Sequence, residues 1–154
     1  MPKVLLNVPH RRQRLRADCL PSYVAMVLHY FDCPIAYSHL ISLLGTRDFG
    51  TPAENIVRLE DLNIGVKVTL SSTDVHGLRR HLEAGRPVIA FVNTGDLPYW
   101  SEVTDHAVVV VGMDDDVFYV NDPYFGQAPQ RISRTHFELA WLRFDNLCAI
   151  IAVK

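Results

Sequence analysis

The sequence predicts an α+β fold in which a helical half packs on an antiparallel β-sheet. Three observations carry that prediction: helix signals fill the first half of the chain, β-rich apolar runs fill the second, and an acidic turn joins two of those runs as a hairpin. At 154 residues, 49% of them hydrophobic and 21% charged, the chain can bury a continuous core and is far from the composition of disorder. Residues 1–154 are therefore expected to form one domain.

The first helix is read over "PSYVAMVLHYF", Pro21 to Phe31, apolar on most faces and thus suited to a central, buried position. Pro21 fits its first turn, where no N–H partner is lost. A shorter helix follows from Ser38 to Leu44, stopped by Gly45. In "TPAENIVRLEDLNIG", Thr51 is the expected N-cap, with Pro52 at the first position, Glu54 completing a capping box and Ile56, Leu59 and Leu62 forming an apolar stripe. "VKVTL" reads as a strand, and "TDVHGLRRHLEAGRP" as a helix capped by Asp74 and ended by Gly85 and Pro87. Strands are then expected over 88–93, 106–113 and 117–122, with the aspartates 114–116 turning the last two into a hairpin. A helix from about Arg134 to Arg143, capped by Ser133, precedes the closing strand "LCAIIAV".

Bulk properties exclude several function classes. A formal charge of −2 gives no global attraction to nucleic acid, and the locally basic "HRRQRLR" lacks interleaved aromatics, so no nucleic-acid partner is expected. No apolar run has the length of a transmembrane segment, and "MPKVLLNVPHRR" does not have the form of a signal peptide. The three cysteines, Cys19, Cys33 and Cys148, are widely spaced and odd in number, with no CxxC pair. A reducing, cytoplasmic setting is expected. His76 and His81 fall on different faces of their helix, which speaks against a two-histidine metal site, and no metal or cofactor is called for.

The chemistry-bearing residues gain meaning only together. Cys19 immediately precedes the buried helix, where the helix dipole favours a thiolate; alone, it reads equally as a small core residue. Seven histidines compete as its base. His106 stands out because it opens a strand, on a rigid support beside loops. The hairpin puts residues 122–124 across from it, so Asp122 is in reach of the imidazole and can orient it and stabilise its charged form. Acyl transfer also needs hydrogen-bond donors for a developing oxyanion; the Gln13 amide and the backbone N–H of Cys19 can supply two. Tyr99 and Trp100, in the loop before His106, either line a substrate cleft or pack over the sheet edge. Cys33 and Cys148 read as inert core or near-core thiols.

Gln13, six residues before Cys19 in "DCLPSYVAMVLHYF", followed by "DHAVVVVGMDDDVFYVNDP" with His106 and Asp122, resembles the papain-like cysteine peptidases of the C39 family. That family includes the peptidase domains of bacteriocin-exporting ABC transporters and stand-alone relatives. The resemblance covers nearly the whole chain and implies a papain-like fold with its site in the cleft between helices and sheet. It implies Cys19 as nucleophile, His106 as general base and then acid, Asp122 as orienter, and Gln13 with the Cys19 N–H as oxyanion hole. The substrate would be a peptide or protein, with a separately encoded transporter as one conceivable associate; oligomeric state is left open. The chain departs from the family pattern at Leu20, where glycine is common and where a leucine is expected to crowd an approaching substrate backbone. It departs again at Asp105, where a small residue is frequent and a carboxylate close to His106 would raise its pKa. Two alternatives stand beside peptide cleavage: an acyltransferase or amidase using the same residues, and a catalytically silent module that binds a leader peptide or a protein.

Overall fold

The β-rich runs of the second half build most of a seven-stranded sheet, every pairing of which is antiparallel. In the computed structural model, residues 3–12, 19–46 and 53–153 are described. The strands are β1 (Val4–Leu5), β2 (Val66–Ser72), β3 (Val88–Asn93), β4 (Asp105–Met113), β5 (Val117–Asn121), β6 (Gln130–Ser133) and β7 (Leu147–Val153). Their order across the sheet is β2-β7-β3-β4-β5-β6, with β1 beside the far end of β4. Strand β7 thus inserts between β2 and β3.

Helices pack on both faces of the antiparallel sheet, in the α+β arrangement expected. Helices α1 (Cys19–Tyr30) and α2 (Tyr37–Leu44) and a 3₁₀ helix (Ala53–Leu62) share a core with Ile89, Phe91, Ala107, Val109 and Ile151. On the opposite face, α3 (Val75–Glu83) and α4 (Arg134–Leu142) pack on Val88, Ala90, Val92, Val108 and Val110. This is why β3 and β4 read as continuous apolar runs: a strand buried on both sides has no solvent face to supply polar residues.

Helix α1 is buried nearly all round, as its composition requires, with Leu20, Tyr23, Val24, Met26, Val27 and Leu28 in the core. The buried Ser22 hydroxyl of this helix shares a 2.8 Å hydrogen bond with the Tyr37 hydroxyl. Helix α2 stops at Gly45, whose φ of 68° lets Thr46 N–H reach back to the Ile41 carbonyl. The segment 53–62 is a 3₁₀ helix rather than the expected α-helix. Its stripe of Ile56, Leu59 and Leu62 repeats every third residue, matching three residues per turn better than 3.6. The Thr51 and Pro52 start signals lie outside the described residues.

The other caps follow the sequence signals. Asp74 accepts from Gly77 N–H at 2.7 Å and Ser133 from His136 N–H at 3.3 Å. In the hairpin turn Asp114 Oδ1 accepts from the N–H groups of Asp116 and Val117, both at 2.8 Å.

Candidate active site

His106 and Asp122 meet because of one extra residue in β4. Next to the turn, Met113 pairs with Phe118 and Gly112 with Tyr119; beyond it, Val110 pairs with Val120 and Val109 with Asn121. Val111 is the bulged residue that shifts the register. Carried on without it, the first register would set Asp122 opposite Val109 and on the other side of the sheet from His106. With it, position 122 falls opposite Val108, one diagonal step from His106 on the same face. His106 Nε2 lies 2.7 Å from Asp122 Oδ1, with His106 8% and Asp122 0% exposed.

The buried carboxylate is fully provided with donors. Oδ1 also accepts from Tyr124 N–H at 3.0 Å; Oδ2 accepts from the Tyr99 hydroxyl at 2.7 Å and from Trp100 Nε1–H at 2.9 Å. Burial alone would raise the Asp122 pKa, but the hydrogen bond and charge of His106, with the Trp100 and Tyr99 hydrogen bonds, more than offset it and hold the carboxyl below its usual range. Burial and the neighbouring carboxylate push the Tyr99 hydroxyl the other way, so it stays protonated and donates. An ionised carboxylate on Nε2 requires that nitrogen to carry the hydrogen, which makes Nδ1 the basic nitrogen of the neutral ring.

Tyr99 and Trp100 reach the site from a loop closed at its base by Thr94. That residue's N–H donates to the Thr104 carbonyl at 2.9 Å, and its hydroxyl donates to the Glu102 carbonyl at 2.7 Å. Leu97, 2% exposed, pins the loop to the core. The Trp100 ring then lies edge-on to His106, with centroids 4.9 Å apart, and packs against Tyr124 and Phe125. Sequence reasoning placed Tyr99 and Trp100 near the site but missed their polar ends as anchors of Asp122; the available signal was that a buried carboxylate needs donors, and that "DLPYWS" holds two side chains with both bulk and an N–H or O–H.

Cys19 is the first residue of α1. Gln13 and the later part of the basic run lie outside the described residues. Leu20 does not border a cleft: at 1% exposure its side chain belongs to the core between α1 and the sheet, because the second residue of this helix turns inward. Asp105 is exposed and sits across from Asn93; as the immediate neighbour of His106 in a strand it points to the opposite face. Cys148 is buried, its thiol pushed up to about 11 by desolvation, and Cys33 is half-buried; both are free thiols. His10 Nε2–H donates to the Phe125 carbonyl at 2.6 Å, tying the N-terminal segment to the turn after Asp122. Cavities of about 390 and 410 Å³ flank Pro9 and His10. Among the described residues, no three His, Cys, Asp or Glu side chains gather as a metal site, and no helix is long and apolar enough to cross a membrane.

A buried helix that opens on a cysteine, packed on an antiparallel sheet that carries a His–Asp pair, is the architecture of the papain-like cysteine peptidases. The chain belongs to the Peptidase_C39 like family, whose model matches residues 5–149. Among solved structures, a C39-like peptidase from Bacillus anthracis shares the fold with a TM-score of 0.84 at 19% identity, covering 100% of this chain and 99% of that one. The peptidase domain of Streptococcus ComA, a bi-functional ABC transporter involved in a quorum-sensing pathway, superposes with a TM-score of 0.77 at 22% identity over 96% of this chain and 100% of its own. A double glycine motif protease from an AMS/PCAT transporter, in complex with its leader peptide, also gives 0.77, at 20% identity and 98% and 95% coverage. The uncharacterized protein YvpB of Bacillus subtilis (strain 168) is 31% identical over 110 residues, 62% of this chain and 44% of its own, so the chain spans less than half of that relative's length.

Proposed function

We propose that this protein is a cysteine peptidase that cleaves a peptide or isopeptide bond through an acyl-enzyme. The observation that carries the reading is the buried His106–Asp122 pair, in a fold shared with C39-type peptidases. In this reading His106 Nδ1 takes the proton of the Cys19 thiol, and the thiolate attacks the scissile carbonyl. The Gln13 amide and the Cys19 N–H hold the oxyanion. As the tetrahedral species collapses, the C–N bond breaks, His106 returns its proton to the leaving amine, and a thioester remains on Cys19. Water, deprotonated by His106, then hydrolyses the thioester to a carboxylate and restores the thiol. Asp122 stabilises the imidazolium in both halves.

A peptide substrate is supported by the leader peptide bound in the AMS/PCAT relative, and a separately encoded transporter is a corresponding candidate partner. The two free thiols support a cytoplasmic location.

The deciding experiment is alkylation by iodoacetamide near neutral pH, read by mass spectrometry. Cys19 should react first, Cys33 slowly and Cys148 only on unfolding, and Cys19 selectivity should vanish in His106→Ala. Cys19→Ala should remain folded and cut nothing in a peptide library. Equal labelling of all three thiols, or cleavage by Cys19→Ala, overturns the reading.

A further inference from the structure

We propose that Tyr99 and Trp100 are positioning residues that lock the Asp122 carboxylate in one rotation, so that a single oxygen is always presented to His106 Nε2. The proposal rests on the peptidase reading for its catalytic meaning, though not for its geometry.

The terminal torsion of an aspartate is broad and two-fold, so a carboxylate held by one donor alone can exchange its oxygens or tilt away. Here the two oxygens are distinguished by what they accept. Oδ1 takes His106 Nε2–H at 2.7 Å and Tyr124 N–H at 3.0 Å; Oδ2 takes Tyr99 O–H at 2.7 Å and Trp100 Nε1–H at 2.9 Å. A flip would have to break four hydrogen bonds inside a site with no water-exposed carboxylate surface. Trp100 constrains the other partner as well, because its ring meets the imidazole at 4.9 Å between centroids and 62° between planes. Both residues come from a loop braced at Thr94 and Leu97. Their aromatic bodies pack against Phe125 and Tyr124 in edge-on and tilted contacts while their polar ends turn inward to Asp122. That arrangement gives them a task besides lining a cleft: they hold the carboxylate against Nε2, and the carboxylate decides which nitrogen of His106 is left to act as base.

The test is ¹⁵N NMR of the His106 imidazole in the whole protein and in the Tyr99→Phe and Trp100→Phe variants, with Tm recorded alongside. Wherever His106 is neutral, the unmodified protein should show the Nε2–H tautomer. Each variant should show a growing share of Nδ1–H and an altered His106 titration. On a cleaved peptide each should lose about ten-fold in kcat, the rate equivalent of one charge-assisted hydrogen bond, with KM within about two-fold. An unchanged His106 spectrum in both variants, with only Tm lowered, overturns the proposal and leaves the two residues as packing. Because the spectrum needs no turnover, a tautomer shift in a protein that cleaves nothing would uphold positioning while sinking the peptidase reading.

Discussion

Trp100 touches both members of the buried pair: its indole N–H reaches Asp122 Oδ2 at 2.9 Å while its ring edge meets His106. Precision at this site therefore comes from a loop residue as much as from the sheet that carries the pair. The strands set which face His106 and Asp122 share, and the loop sets their orientation on it. Removing the charge at the centre of this cluster has consequences for stability that can be separated from catalysis.

Asp122→Ala should destabilise the protein by about 3–5 kcal/mol, the usual cost of removing one partner from a buried pair. The substitution removes the acceptor that His106, Tyr99, Trp100 and the Tyr124 N–H share. Urea unfolding at neutral pH measures this, and a loss below about 1 kcal/mol would mean the cluster relaxes onto other partners.

The same carboxylate makes stability depend on pH. Its folded pKa is depressed, so at neutral pH the group is ionised in both states and its full contribution is present. Below about pH 4 the unfolded chain takes up the proton first, and the contribution fades as pH falls toward the lower folded pKa. Unfolding free energies measured from pH 7 to pH 3 should fall more steeply for the unmodified protein than for Asp122→Asn; parallel curves would refute the linkage.

Leu20→Ala should cost about 2–5 kcal/mol, the range for truncating a leucine in a packed core. Leu20 is 1% exposed under α1, so the substitution opens a cavity rather than a path to the site. Thermal or urea unfolding gives the answer, and an effect under about 1 kcal/mol would place the side chain at a surface after all.

Gly112→Ala should loosen β1. A Cβ at this position would collide with the Val4 carbonyl oxygen and stand 3.1 Å from Leu5 Cα, and backbone cannot step aside as a side-chain tip can. Faster amide hydrogen exchange at Leu6, whose N–H bonds the Val111 carbonyl, is the expected signature; unchanged exchange would show that β1 accommodates the methyl group.

Much of this fold was legible because local signals and tertiary structure agree. Asp74 and Ser133 cap helices, Gly45 ends one, and the Asp114 turn makes a hairpin, each by chemistry confined to a few residues. Counting back from the turn brought Asp122 near His106 along the hairpin, but the face they share depends on the bulge at Val111, which no local signal announces. What sequence could not reveal depends on distant partners. β1 exists through its pairing with Gly112 and Met113, and β6 buries only Ile132 of its four residues, so neither carries a pattern of its own. Leu20 read as a cleft residue because the direction of the first turn of α1 is set by packing against the sheet. The roles of Tyr99 and Trp100 required knowing where a loop closed by Thr94 would land.

The bulge at Val111 gives the β4–β5 hairpin a parity rule. Residues added to or lost from its tip change only the length of the turn, since the pairing of Met113 with Phe118 restarts the count beneath it. An odd insertion or deletion along either strand, between that pair and the His106–Asp122 level, would send the two partners to opposite faces of the sheet. Length variation across relatives should accordingly be unrestricted at the aspartate-rich tip and come only in compensated steps below it.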